Sequence, residues 1–184
     1  RSGNHARFVW DLRNGLPDSV KVGQYVERFP FTDLIHPGKV GKHTNLLLDI
    51  HFPKQAIFDT LYLKTKTDFI LSKDSSSLSF EVHDPFVPLS SFVYLSLNTK
   101  GLLKNTDKFS AYNTSAGYRY LGGTWKNNII DFKTKNLGKF TIKKDDKAPI
   151  IKLAKKNRKQ IQLVIKENLS GINTFNGYIN GQWV

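Results

Sequence analysis

Hydrophobic and polar residues alternate singly along most of this chain. Over residues 92–97, Val93, Leu95 and Leu97 fall on one face of an extended strand, with Phe92, Tyr94 and Ser96 on the other. Ile161, Leu163 and Ile165 alternate in the same way with Gln160, Gln162 and the mixed pair Val164 and Lys166. Further short runs at 6–12, 46–52, 60–63, 78–82, 108–112, 117–121, 128–132, 139–143, 149–153 and 175–179 are rich in the Ile, Val, Phe, Tyr and Thr that strands favour. Turn chemistry separates them: Asn14-Gly15, Pro37-Gly38, Asp84-Pro85, Gly122-Gly123, Ser170-Gly171, Asn176-Gly177 and Asn180-Gly181. No segment keeps a 3.6-residue period for three turns, and the best helical candidate, 151–157, is short. Strands recurring every roughly 8–12 residues predict an all-β sandwich architecture rather than a βαβ fold.

Two joints divide the pattern. Asp145-Asp146-Lys147-Ala148-Pro149 follows one strand and precedes another. Its proline cannot donate to a ladder and holds the residue before it extended. Beyond it, about three strands are too few for a closed sandwich. The run at 6–12 reads as a single strand before a linker of turn residues. The expected division is the last strand of a preceding β module with its linker over 1–18, a central β-sandwich over 19–145, and the first strands of a following module over 146–184. The alternative is one larger β domain using every strand. Opening at Arg1 and stopping at Trp183-Val184 inside an apolar stretch, the chain reads as a piece of something longer.

Composition narrows the functional classes. With 39% apolar and 12% aromatic residues the chain can pack a core, and no apolar run approaches the roughly 18 residues of a membrane span. There is no Cys, hence no disulfide framework, thiol nucleophile or thiolate zinc site. The net charge of +13 is uneven: residues 1–92 hold 11 basic and 10 acidic groups, residues 93–184 hold 17 and 5. Most of the excess lies in 133–166, with 12 basic residues against Asp145 and Asp146.

Catalytic arrangements are scarce. A zinc hydrolase needs converging imidazoles and a carboxylate, and the nearest approach is His43, Asp49 and His51. Here Leu46-Leu47-Leu48 reads as core, nothing supplies a general base, and surface histidines on an edge strand are the simpler account. Gly122-Gly123 lacks the Lys and helix start of a phosphate loop and reads as a hairpin turn. His83-Asp84 precedes Pro85 and Pro88 and reads as a turn, and Ser75-Ser76-Ser77 as a polar loop. The chain is expected to have no catalytic, metal-binding or cofactor-binding residue of its own.

Two binding surfaces remain. Lys143, Lys144, Lys147, Lys155, Lys156, Arg158 and Lys159 would attract an anionic polymer with steep salt dependence. Phe140 is the one aromatic in the window, so base-stacking rings interleaved with the charge are missing. Lysine also outnumbers arginine 22 to 6, against the preference for arginine in bidentate phosphate recognition. Solvated lysines that protect strand edges explain the window without any ligand. The second surface is aromatic: Tyr118, Tyr120 and Trp125, with Tyr112 nearby, either stack on sugars or cover the edge of the core.

A longer pattern runs through the C-terminal part. Gly138-Lys139-Phe140 leads to Asp145-Asp146-Lys147-Ala148-Pro149-Ile150-Ile151, then Ser170-Gly171-Ile172, then Tyr178-Ile179-Asn180-Gly181-Gln182-Trp183-Val184. It resembles the C-terminal immunoglobulin-like β-sandwich region of bacterial lysostaphin-like (LytM-type) zinc metallopeptidases. Upstream, 52–59, His83-Asp84-Pro85-Phe86-Val87-Pro88-Leu89 and Gly122-Gly123-Thr124-Trp125 are similar to the preceding module of those proteins, and Ser2-Gly3-Asn4 with 6–10 to the last strand of another. In that family the zinc ligands, a His-x-x-x-Asp and a His-x-His, lie in a separate catalytic domain; neither motif occurs here. The resemblance implies immunoglobulin-like sandwiches in tandem and an exported, cell-envelope parent (periplasm or outer surface), with zinc in the parent's catalytic domain alone. This region would then be a non-catalytic spacer, scaffold or wall-contacting part of a peptidoglycan hydrolase. Its partners would be peptidoglycan or another anionic envelope polymer and neighbouring domains, with no nucleic acid or membrane span. A carbohydrate-binding or adhesin-like surface module is the alternative.

Overall fold

A computed structural model describes residues 19–29, 31–72, 76–172 and 174–183, together with 9, 11 and 17. The strand expected at 6–12 and the Asn14-Gly15 turn lie outside the described residues, apart from 9 and 11. The expected all-β fold is what the structure shows: antiparallel strands β1 to β18 and a 3-10 turn at Thr106–Lys108.

Two five-stranded sheets form the body. The first has the order β11 (Arg119–Gly122), β10 (Phe109–Asn113), β14 (Gly138–Lys144), β8 (Ser77–Val82), β7 (Thr65–Leu71). The second runs β12 (Thr124–Lys126), β13 (Ile129–Asn136), β9 (Pro88–Asn98), β5 (Leu48–Phe52), β4 (Gly41–Thr44). A smaller pair, β3 (Asp33–Ile35) with β6 (Leu61–Leu63), adds Ile35, Leu61 and Leu63 to the same core. Separate hairpins are β1–β2 (Ser19–Val22, Tyr25–Arg28), β15–β16 (Ile150–Lys156, Ile161–Lys166) and β17–β18 (Tyr178–Ile179, Gln182–Trp183).

Alternation decides which residues make the core. Val93, Leu95 and Leu97 of β9 are buried, as are Ile50, Ile130 and Phe132 in the strands beside it. Leu78, Phe80, Val82, Phe140 and Ile142 line the inner face of the first sheet. Phe132 and Phe140 meet at 5.9 Å between ring centroids, joining the two sheets. Each fully buried Leu, Ile or Phe contributes roughly 1.5–3 kcal/mol relative to exposure.

The strand expected over 149–153 is β15, which pairs along its length with β16. Two local expectations are corrected. Of Leu46-Leu47-Leu48, only Leu48 belongs to the core at 1% exposure, whereas Leu46 is 84% exposed. The Asn45 side chain forms a turn there, its Oδ1 accepting the Leu47 and Leu48 N–H groups.

The second correction concerns Gly122-Gly123. It is not a hairpin, because β11 before it pairs with β10 and β12 after it pairs with β13. The chain leaves one sheet for the other here, with φ of 74° and 140°. A Cβ on Gly123 would sit 2.6 Å from Ile130 Cδ1. Gly123→Ala should therefore destabilise the domain by about 2–3 kcal/mol, through backbone strain and overpacking. Urea-unfolding midpoints check this; at Gly23, where nothing lies within 4 Å, the same change leaves only the cost of the positive φ.

Candidate anionic-polymer surface

The outer face of the second sheet is set by the parity that buries its inner face. Register places Lys42 of β4 opposite His51 of β5, His51 opposite Tyr94 of β9, and Tyr94 opposite Lys133 of β13. These four side chains form one row across four strands. Phe92 lies two residues from Tyr94 on the same face, and the Lys133 and Lys135 ammonium groups stand over its ring at 4.8 and 5.0 Å. The His51 and Tyr94 rings are 6.2 Å apart. Among the described residues no carboxylate lies within ion-pair distance of Lys42, Lys133 or Lys135. Asp49 and Asp131 occupy the next row with Ser96, so positive charge gathers towards Phe92. An open depression of about 460 Å³ beside Tyr94 and Lys133 extends to Thr124.

The missing interleaving of rings and charge is thus supplied from elsewhere in the chain. Within 133–166 Phe140 is internal, but strand pairing sets Phe92 and Tyr94 of β9 between lysines of β13 and β4. The sequence signal was the alternation of Lys133 and Lys135 with Phe132 and Thr134, and of Phe92 and Tyr94 with Val93 and Leu95. What joins the two sets is the pairing of β9 with β13.

The lysines singled out from the sequence are spread over several elements. Lys143 and Lys144 end β14, and Lys144 pairs with Asp146 at 3.6 Å. Lys147 is exposed in the segment that follows. Lys155, Lys156, Arg158 and Lys159 surround the tip of the β15–β16 hairpin, where Asn157 Oδ1 accepts the Lys159 and Gln160 N–H groups. Six strand steps of roughly 3.4 Å put that tip about 20 Å from Ile150.

The aromatic group divides in another way. Tyr112 is fully buried on the outer side of the first sheet, and the half-exposed Tyr118 and Tyr120 rings meet it edge-on at 5.9 and 5.6 Å. Lys143 Nζ stands 4.7 Å over Tyr118. Trp125 belongs to the second sheet; its ring packs against the core and its Nε1–H donates to the Phe109 carbonyl at 2.8 Å. Below the tyrosines, Asp145 Oδ2 accepts the Ser170 N–H and hydroxyl, and the Glu167 carboxylate accepts the Leu169 and Gly171 N–H groups. Burial pushes the Glu167 carboxyl up, but its backbone donors outweigh that and hold it below the usual range.

The histidine–aspartate trio does not converge. His43 lies opposite Ile50 and shares its inward face, whereas Asp49 and His51 flank Ile50 and point outward. His43 is buried with Nδ1 on Asp33 and Nε2 3.1 Å from Asn45 Nδ2. Because Asn45 Oδ1 is held by backbone N–H groups, its amide donates; Nε2 accepts, and the Nδ1 proton goes to Asp33. This pair ties β3 to β4. His83-Asp84 is a turn, with Asp84 Oδ1 accepting the Phe86 N–H at 2.9 Å. Ser77 donates its N–H to Ser72 Oγ; Ser75 lies outside the described residues.

Tyr112 carries the clearest pH signature. Burial, then the negative charge of Asp145, Tyr120 and Glu167, pushes its phenol from 10.0 up to about 12. A raised folded-state value means that its contribution to stability is complete below pH 10.0 and is lost as the pH climbs to about 12. The Tyr112→Phe variant should lose less stability than the parent between those limits, measured by urea unfolding at both ends.

No curated protein matches the chain. The family model described as the Zu5-like domain matches residues 33–145, from β3 to the end of β14, which is more than half of the chain. The chain belongs to the Zu5-like domain family, and its β-rich architecture is that of the strands just described.

Proposed function

We propose that this chain is a non-catalytic, wall-contacting β region of a bacterial envelope peptidoglycan hydrolase, whose zinc peptidase chemistry resides in another domain. The observation that carries the contact is the row Lys42, His51, Tyr94, Lys133 with Phe92 under two lysines. Ammonium groups without an ion pair among the described residues supply attraction to anionic polymer, and the two rings supply flat apolar faces for sugar rings. The hydrolase parentage rests on the C-terminal motifs from Gly138 to Val184 and their likeness to LytM-type proteins.

The rigid sandwich suits a spacer, since its two large sheets share one core. Beyond Asp145 the β15–β16 hairpin exposes Ile151, Leu153, Ile161 and Leu163. That fits the opening strands of a further sandwich whose inner face they would line. An exported, envelope location follows from the same parentage.

Retention on purified peptidoglycan is the test. The protein should bind at low salt, release steeply as salt rises, and lose most retention in the double variant Lys133→Gln, Lys135→Gln. A parent-like double variant, or no retention at either salt, overturns the contact. Salt-independent retention abolished by Tyr118→Ala and Tyr120→Ala would instead assign a carbohydrate-binding or adhesin-like module. Stronger retention on single-stranded DNA than on peptidoglycan would reject the wall polymer as ligand.

A further inference from the structure

A second site, apart from the lysine-bearing sheet face, lies where the chain changes sheets at Lys64. Strand β6 belongs to the small pair and β7 to the first large sheet, and Lys64 is the residue between them. The Lys64 carbonyl accepts the N–H of His83, the residue that follows β8. His83 adopts φ 55°, an uncommon conformation for a side-chain-bearing residue. Strain of this kind concentrates at ligand clamps.

Two cavities meet at this corner. One, of about 400 Å³, is walled by Phe31, Phe58, Tyr62 and Val87. The other, of about 550 Å³, continues towards Phe86, and both are lined by Lys64 and His83. Such volumes suit small ligands. Phe58 is 68% exposed and Phe86 90%, so each cavity carries an aromatic ring open to solvent. The Phe31 and Tyr62 rings pack at 5.4 Å, and Lys64 Nζ stands 5.1 Å over Phe31.

The polar groups are unbalanced. Lys64 has no carboxylate within ion-pair distance among the described residues. Of the acids lining these cavities, Asp59 accepts the Thr60 N–H at 2.7 Å and Asp84 the Phe86 N–H, and Glu81 lines the second cavity with Lys66. His83 Nδ1 is buried and has no hydrogen-bond partner among the described residues. A buried polar atom without a partner costs free energy.

We propose that this corner binds a small organic carboxylate, its apolar body against Phe31, Phe58 and Tyr62 and its carboxylate on the Lys64 ammonium, beside the His83 side chain. An anion balances the Lys64 charge. The apolar body matches the Phe31, Phe58, Tyr62 and Val87 wall of the first cavity. Burial lowers the His83 pKa, Lys64 lowers it further, and Asp84 opposes both. A bound carboxylate adds negative charge and raises it, so binding takes up protons and tightens as the pH falls through the histidine range. The other charged groups lining the two cavities are Lys66, Glu81, Asp59 and Asp84.

The probe is N-acetyl-L-phenylalanine, titrated into isotope-labelled protein and followed by NMR, beside its amide, which lacks the charge. Saturable shifts at Lys64, Tyr62 and His83 are expected. Affinity should fall about tenfold for the amide and about tenfold for Lys64→Gln, and the His83 pKa should rise in the complex. Equal binding of acid and amide would overturn the proposal, as would absence of shifts at these residues or unchanged affinity in Lys64→Gln. A tripeptide ending in free phenylalanine, compared with 3-phenylpropionate, distinguishes the sources: tighter peptide binding indicates a chain end, equal binding a free acid. The double variant Lys133→Gln, Lys135→Gln should bind the probe like the parent, so this site and the polymer surface fail or succeed separately.

Discussion

Burial of two five-stranded sheets against each other governs this domain, because a pleated strand has only two faces. Once Val93, Leu95 and Leu97 turn inward to meet the sheet of Leu78, Phe80 and Phe140, the alternate residues must turn outward. The outward row of Phe92, Tyr94, Lys133 and Lys135 is therefore a consequence of core packing. A one-residue slip of β13 against β9 would bury Lys133 and expose Phe132, so the core also protects the register of the outward face. Stability and surface chemistry are specified by the same pairings.

The places where the chain passes between sheets bring the remaining features together. At Gly122-Gly123 the path needs two positive φ values and leaves no room for a Cβ beside Ile130. At Lys64 a second crossing opens a corner, and the turn at His83 closes on it through a backbone hydrogen bond. The first sheet handles its own outer face differently. Tyr118 and Tyr120 roof Tyr112, while Asp145 and Ser170 bind the neighbouring segment beneath.

Much of the fold was legible because period-two alternation is a local signal. Strands β9, β13, β14 and β16 were readable from it, as was the absence of helical periodicity. Short polar strands such as β4, Gly41–Thr44, carry little apolar signal and owe their extended form to pairing with β5. The run at 149–153 was readable as a strand, and Ile151 and Leu153 find their partners in Ile165 and Leu163. Gly122-Gly123 has the composition of a hairpin turn, and which sheets flank it is a long-range matter.

The sequence by itself determined the strand-rich class, the inward residues of each well-alternating strand, and the surplus of lysine after residue 133. Those properties depend on neighbours a few residues away. Only the tertiary structure decided that Phe92 lies under Lys133 and Lys135, that His43 and His51 face opposite ways, and that Lys64 meets His83. Each of these depends on which strands pair and in what register, and that is fixed by the free energy of closing one core rather than by any local run of residues.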